Sequence, residues 1–309
     1  TSQRISDDGS TTIPHWHKAC NEIIQAGLTA HPNSPIFVYF QGRFLFVQGK
    51  LREAMAVFED GLKQDIEWPE MKHAGYWELV FCSLYTLDWS RGYKYAKQMS
   101  AENKWSKAFY CYLEAVFLWS MDKTKIAEVK ELLGRIPGLM KRVAGRTIPV
   151  EKFALHRALM VIEEDRAPFH PALEIALVWD GMPLIPAVDR ERIETIMVEA
   201  MPTTNDVEQK AQILLTLMSI KRINGHYDAA IEHGKTALRL QVPDDSYCIP
   251  MASLELAHIY LQKGNLKEAE RYYNESVSYK NYYLVKKFLE IRQSRMRIEI
   301  ELAKKKRAD

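Results

Sequence analysis

The sequence predicts an all-α fold: a solenoid of antiparallel helical hairpins in two blocks, with a proline-rich helical insert between them. Three observations carry this. A glycine-centred pattern recurs at fixed intervals, small residues recur where two helices would cross, and prolines cluster in the middle of the chain. Gly225, Tyr227, Ala230 and Ala237 are matched at identical spacing by Gly264, Leu266, Ala269 and Ser276, and each set follows an apolar stretch of helical period. Near the start, Gly49, Leu51, Ala54, Phe58 and Gly61 keep the same intervals, with Gly42 one helix earlier.

The spacing has a physical cause. Glycine at the turn allows the positive φ that ends a first helix. Ala54, Ala230 and Ala269 leave room for the partner helix, and Phe58 and Tyr273 fill the space one turn on. Helix, short turn and antiparallel helix at this period is the tetratricopeptide (TPR) pattern. The first segment, 1–136, comprises an N-terminal helical stretch, repeats at about 35–68 and 73–106, and a weak copy at 108–134. The copy at 73–106 is degenerate, with Trp89, Gly92 and Ala96 in the corresponding places. The weak copy puts Glu131 where a large apolar residue belongs.

The next segment, 137–206, breaks the repeat. It holds seven of the thirteen prolines, Pro137, Pro149, Pro168, Pro171, Pro183, Pro186 and Pro202, which divide it into helix-like pieces at 150–164, 171–180 and 188–201. Repeats resume over 207–284, at about 211–244 and 250–283, and 285–309 reads as a charged helix capping the solenoid.

Composition narrows the function. At 309 residues, with 47% hydrophobic and 27% charged, the chain resembles an ordinary globular protein. A net charge of +2 gives no basic field for nucleic acid. The end from Lys286 carries nine Lys/Arg against four Asp/Glu, a local +5 that leaves peripheral contact with anionic lipid or acidic protein open. No apolar run approaches the roughly 18 residues that span a bilayer. Cys20, Cys82, Cys111 and Cys248 are scattered, with no CxxC and no signal peptide, which points to a reducing, cytoplasmic setting. The chain lacks a starting Met and opens on a polar stretch, Thr1 to Thr12, so it reads as part of a longer protein.

Chemical motifs fail on inspection. His233-Gly234-Lys235-Thr236 ends like a phosphate loop, but that loop needs Gly where Ala229 stands and a preceding strand where the pattern is helical. His226 and His233 straddle a turn and a helix, and His15, His17 and Cys20 lack a fourth zinc ligand. Glu163-Glu164-Asp165 with Trp179-Asp180 offers carboxylates near an aromatic, without a facing carboxylate at definable spacing. The expectation is no catalytic residues, no metal and no cofactor.

Several segments together resemble the Iml2/tetratricopeptide repeat protein 39 family. They are HPNSPIFVYFQGRFLFVQGKLREAMAVFEDGL from His31, YWELVFCSLYTLDW from Tyr76, AENKWSKAFYCYLEAV from Ala101, VAGRTIPVEKFA from Val143, ALEIALVWDG from Ala172, and the stretch from Ile249 to Tyr282. The chain departs from the family at Leu155-His156-Arg157, where a more basic run is usual, which points to a divergent paralogue. The resemblance implies an intracellular adaptor without catalytic activity, with family roles in lipid homeostasis, protein turnover or cilium organisation.

Counting from each repeat's register names the inner face of the first helices. It comprises Tyr39, Arg43 and Phe46; Trp77 and Phe81; Leu215, Ser219 and Arg222; and Leu254, His258 and Gln262. A groove for a C-terminal carboxylate would present Lys and Asn, whereas this face is aromatic and aliphatic with only Arg43 and Arg222. It suits an amphipathic partner helix or peptide. A competing occupant is internal: the insert, the terminal helix or a preceding segment of the protein.

Overall fold

The computed structural model describes residues 15–64, 66, 68–143, 145–281 and 284–308. These form helices, plus a two-stranded antiparallel hairpin in which Arg142 pairs with Thr147 and Val143 with Arg146. The polar opening stretch to Thr12 and the side chain of His15 lie outside what is described. The chain divides into two compact units, 1–105 and 106–309.

The first unit contains α1 (His15–Ala30), α2 (Pro35–Val47), α3 (Leu51–Leu62), α4 (Pro69–Tyr85) and α5 (Trp89–Glu102). Proline stands in the first turn of α2 and α4, where no helical N–H is lost. Asp88 caps α5 by accepting from the Arg91 amide at 3.1 Å. The α2–α3 and α4–α5 hairpins are repeats, closed by Ala54 and Ala96, each with no exposed surface. At Gly42 the approach is tighter still, since an added Cβ would lie 2.4 Å from the Phe58 ring.

The second unit contains α6 (Lys107–Met121), α7 (Ile126–Leu139), α8 (Pro149–Ile162), α9 (Pro171–Val178), α10 (Ala187–Ala200), α11 (Val207–Ile223), α12 (Tyr227–Leu238), α13 (Cys248–Gln262), α14 (Leu266–Ser278) and α15 (Lys286–Ala308). Its edges differ from the expected segment boundaries. The break falls at 105/106, and Pro137 lies inside α7 rather than opening the insert. A proline in a last turn forfeits one helical hydrogen bond without ending the helix before it. Glu131 is exposed, and α7 buries Val129, Leu133 and Ile136 instead.

The insert belongs to the core. Trp179, at the end of α9, stacks on Phe109 of α6 (5.6 Å between centroids), meets Phe153 of α8 edge-on (5.4 Å) and lies 4.7 Å from Phe288 of α15. Arg157 of α8 is buried and donates to Glu174 of α9 at 2.5 Å. The same Glu174 oxygen accepts from Tyr247 (2.9 Å) and from Gln212 of α11 (3.3 Å), so one carboxylate holds four parts of the unit together.

Gly49, Gly225 and Gly264 occupy the repeat turn at φ of 74°, 78° and 72°. The equivalent place in the degenerate repeat, two residues before α5, is Leu87 at φ 54°, a conformation that costs a side chain about 1–2 kcal/mol. Two glycines with open space around a would-be Cβ therefore respond oppositely to alanine. Gly225→Ala is expected to destabilise by about 1 kcal/mol, because only backbone strain changes. Gly134→Ala, inside α7, is expected to stabilise by about 0.5–1 kcal/mol. Thermal melts of the two variants check the pair, and equal signs would refute the backbone argument.

Candidate functional site

In the first unit, residues expected on an inner face gather around a buried carboxylate. Glu78 of α4 is 4% exposed and accepts from Arg43 Nη1 at 2.8 Å and from the Tyr39 hydroxyl at 3.2 Å, so α2 and α4 are tied side by side. Burial raises the Glu78 pKa, with the Arg43 charge opposing it. Burial, then the Glu78 charge, pushes Tyr39 up to about 12. The Arg43 guanidinium lies over the Phe46 ring at 5.3 Å, and Phe46 lies 6.1 Å from Tyr85. Trp77 and Phe81 pack 4.7 Å apart. Tyr39, Arg43, Phe46 and Trp77 are half-buried, while Phe81 is buried and faces the core.

The second unit treats the same register differently. Leu215, Ser219 and Leu254 are at most 1% exposed, so they are interior residues and not a lining. Arg222 donates to Glu255 of α13 at 2.6 Å, and Arg292 of α15 donates to the other oxygen of that carboxylate. Arg292 also lies 3.4 Å from Asp180, which accepts from Arg295 at 2.9 Å. Asp180 sits just beyond α9 at φ 58°. On α11 the insert makes further ties, Lys221 to Glu194 at 2.5 Å and Arg190 to Asn224 at 3.0 Å. The expected groove of this unit is thus occupied by the chain's own α15 and insert. Of the residues named on it, Gln262 is exposed.

Electrostatics follow from that enclosure. Burial alone would raise the Glu255 pKa, but Arg222 and Arg292 outweigh it and hold the carboxyl at about 2. His258 lies 3.9 Å from Glu299, yet burial and then the Arg222 charge lower its pKa to about 4, so at neutral pH it is an uncharged ring and no ion pair forms.

The carboxylates of Glu164, Asp165 and Asp180 are held in separate places. Glu164 accepts from Arg166 at 3.1 Å, Asp165 from Lys130 at 2.9 Å, and Asp180 serves the α15 arginines. The His233-Gly234-Lys235-Thr236 run lies within α12. His17 is buried and meets the Phe44 ring edge-on, whereas Cys20 is exposed. Two cavities, one beside Arg157 and one beside Glu174, hold roughly one water each, far below the ~300 Å³ of a small-molecule site.

Glu78 and Glu255, the buried acids that hold Arg43 and Arg222, lie outside the register of the expected face. Glu78 and Glu255 share a repeat position, each eleven residues before the start of the following helix, Trp89 or Leu266. A Glu flanked by apolar residues in a first helix, at the same distance before the following helix in two repeats, is the available signal.

Fold and face together define a TPR-type helical-repeat protein in which one unit's inner face is aromatic and the other's is closed. Residues 9–221 match the model of the Iml2/Tetratricopeptide repeat protein 39 family, and residues 252–283 match a tetratricopeptide repeat. The chain belongs to the Iml2/Tetratricopeptide repeat protein 39 family. It is similar to tetratricopeptide repeat protein ttc-39B of Caenorhabditis elegans, 25% identical over 283 residues, a match covering 87% of this chain and 48% of that relative. The chain therefore spans about half that relative's length.

Glu255→Gln leaves the buried Arg222 without a counter-charge and Arg292 with Asp180 alone, and is expected to destabilise by about 3–5 kcal/mol. The pH dependence has a definite sign. Because the Glu255 pKa is depressed from 4.5 to about 2, its stabilisation is present above pH 4.5 and is lost as pH falls towards 2. His258, depressed from 6.5 to about 4, adds a loss between those two values as folding resists its protonation. Urea denaturation across this range should show both windows. His258→Gln should flatten the upper one, and an unchanged slope there would exclude the assignment.

Proposed function

We propose that this chain is a non-catalytic scaffold that holds a helical or extended segment of a partner protein against the α2–α4 face of its first unit. The observation that carries the reading is the aromatic surface of Tyr39, Phe46 and Trp77 around Arg43, presented on two helices that Glu78 fixes together. Aromatic anchors with an arginine at the rim are the chemistry of binding hot spots. An amphipathic helix would seat its apolar residues on the rings and set an acid near Arg43. In the second unit, Leu215, Ser219, Arg222, Leu254 and His258 serve packing, which leaves the partner role to the first.

The family adds settings for that partner: lipid homeostasis, protein turnover or cilium organisation, in the cytoplasm. No helix among the described residues is long and apolar enough to cross a membrane. A membrane-surface reading leans on the basic end of the chain, and that end is partly committed. Arg292 and Arg295 are held by Glu255 and Asp180, and Lys304 by Glu270 and Glu301.

The test is a photo-crosslinking benzoylphenylalanine placed at Phe46, with a control at Val277, which is 49% exposed on α14. Irradiation in cells is expected to yield discrete protein adducts from position 46 and none in common from 277. Adducts at 277 alone, or at neither position, would remove the α2–α4 face as the partner site.

A further inference from the structure

The outward side of α15 is unrelated to the repeat face and has chemistry of its own. The inward side of this helix is fully used. Leu289, Met296 and Ile300 are buried, Arg292 holds Glu255, and Gln293 Nε2 donates to the Ser276 carbonyl at 3.1 Å and to its hydroxyl at 3.0 Å. Opposite them, Ile291, Ile298 and Leu302 are 66%, 58% and 44% exposed. Intervals of seven and four residues place the three in one line along the helix, roughly 16 Å from end to end. Single exposed aliphatics are ordinary, whereas a line of them at this period is the seam of a helix pair.

The charges beside the seam are unbalanced. Glu290 is taken by Lys287 at 2.7 Å and Glu301 by Lys304 at 3.1 Å. Lys305 and Lys306 follow Leu302 by three and four residues, flanking the line, and Arg297 adjoins Ile298. Among the described residues these three cations have no carboxylate partner within ion-pair distance. The seam is therefore apolar at its centre and positive at its rim.

We propose that this face of α15 docks an acidic amphipathic helix of a partner protein, which sets aliphatic side chains against Ile291, Ile298 and Leu302 and carboxylates against Lys305, Lys306 and Arg297. Charge complementarity selects this occupant. A second copy of the chain paired in parallel would oppose the same cations to one another, and in antiparallel would offer them the lone Glu290, already taken by Lys287. An anionic membrane favours a broad apolar sector bearing aromatic residues, whereas this one is a single aliphatic line with Glu290 and Glu301 beside it. Flanking charges are what set partner choice in helix pairing.

The probe is a fluorescein-labelled helical peptide of about three heptads, with Ile and Leu on its seam and Glu at its flanks, titrated with the 309-residue chain and read by anisotropy. A matched peptide with Lys flanks is the comparison. Saturable binding of the Glu peptide, and not of the Lys peptide, is expected, with Ile298→Ser weakening it by roughly tenfold or more. Lys305→Glu combined with Lys306→Glu should shift preference towards the Lys peptide. All these positions are exposed, and circular dichroism checks that helicity is kept. The comparison of the two peptides on the unaltered chain needs no variant. No saturable binding of the Glu peptide, equal binding of both, or indifference to Ile298→Ser overturns the proposal. So does cosedimentation with phosphatidylserine vesicles in place of peptide binding, or self-association in the ultracentrifuge that Ile298→Ser abolishes.

Discussion

A carboxylate taken out of water has to be matched inside the protein, and the helix arrangement depends on how three of them are matched. Removing one partner of such a pair costs about 3–5 kcal/mol, more than most single apolar contacts. Glu78 joins α2 to α4. Glu174 joins α8, α9, α11 and the approach to α13. Glu255 joins α11, α13 and α15. Apolar burial supplies the larger share of the driving force but is indifferent to a small slide of one helix on another. Hydrogen-bonded charges are not indifferent, and they set the register in which these hairpins stack.

The same device separates the two units. In the first, Glu78 binds residues of the inner face itself and leaves the rings of Phe46 and Trp77 half-buried beside it. In the second, Glu255 also recruits Arg292, and Asp180 draws in Arg295, so the terminal helix is fastened to the inner helices and to the turn just beyond α9. Trp179 adds an apolar clasp between α6, α8 and α15. The inner helices of the second unit are thus covered by other parts of the same unit. On the outer side of α15 a line of exposed aliphatics remains.

The repeat architecture was legible because it rests on short-range physics. Gly49, Gly225 and Gly264 mark the turns through positive φ, Ala54, Ala230 and Ala269 mark the helix crossings, and apolar periodicity marks the helices between them. The prolines marked the insert's helices, with Pro137 misleading because a proline in a last turn looks the same in sequence as one that breaks a helix. Leu87 hid a turn, since its strained φ is maintained by the surrounding fold and no local signal announces it. Register treats Tyr39, Arg43, Phe46 and Trp77 like Leu215 and Leu254, yet the first four are half-buried and the last two are enclosed, a difference that no local pattern records.

By itself the sequence determined the helices, the turns and the faces on which side chains fall, all properties of residues within one or two helical turns of each other. Only the tertiary structure decided which faces stay open. That choice rests on pairs far apart in the chain, Tyr247 with Glu174 across 73 residues and Arg295 with Asp180 across 115. A periodic pattern records that a face is apolar and leaves unrecorded what returns to cover it, because burial is a property of two surfaces and a helix specifies one.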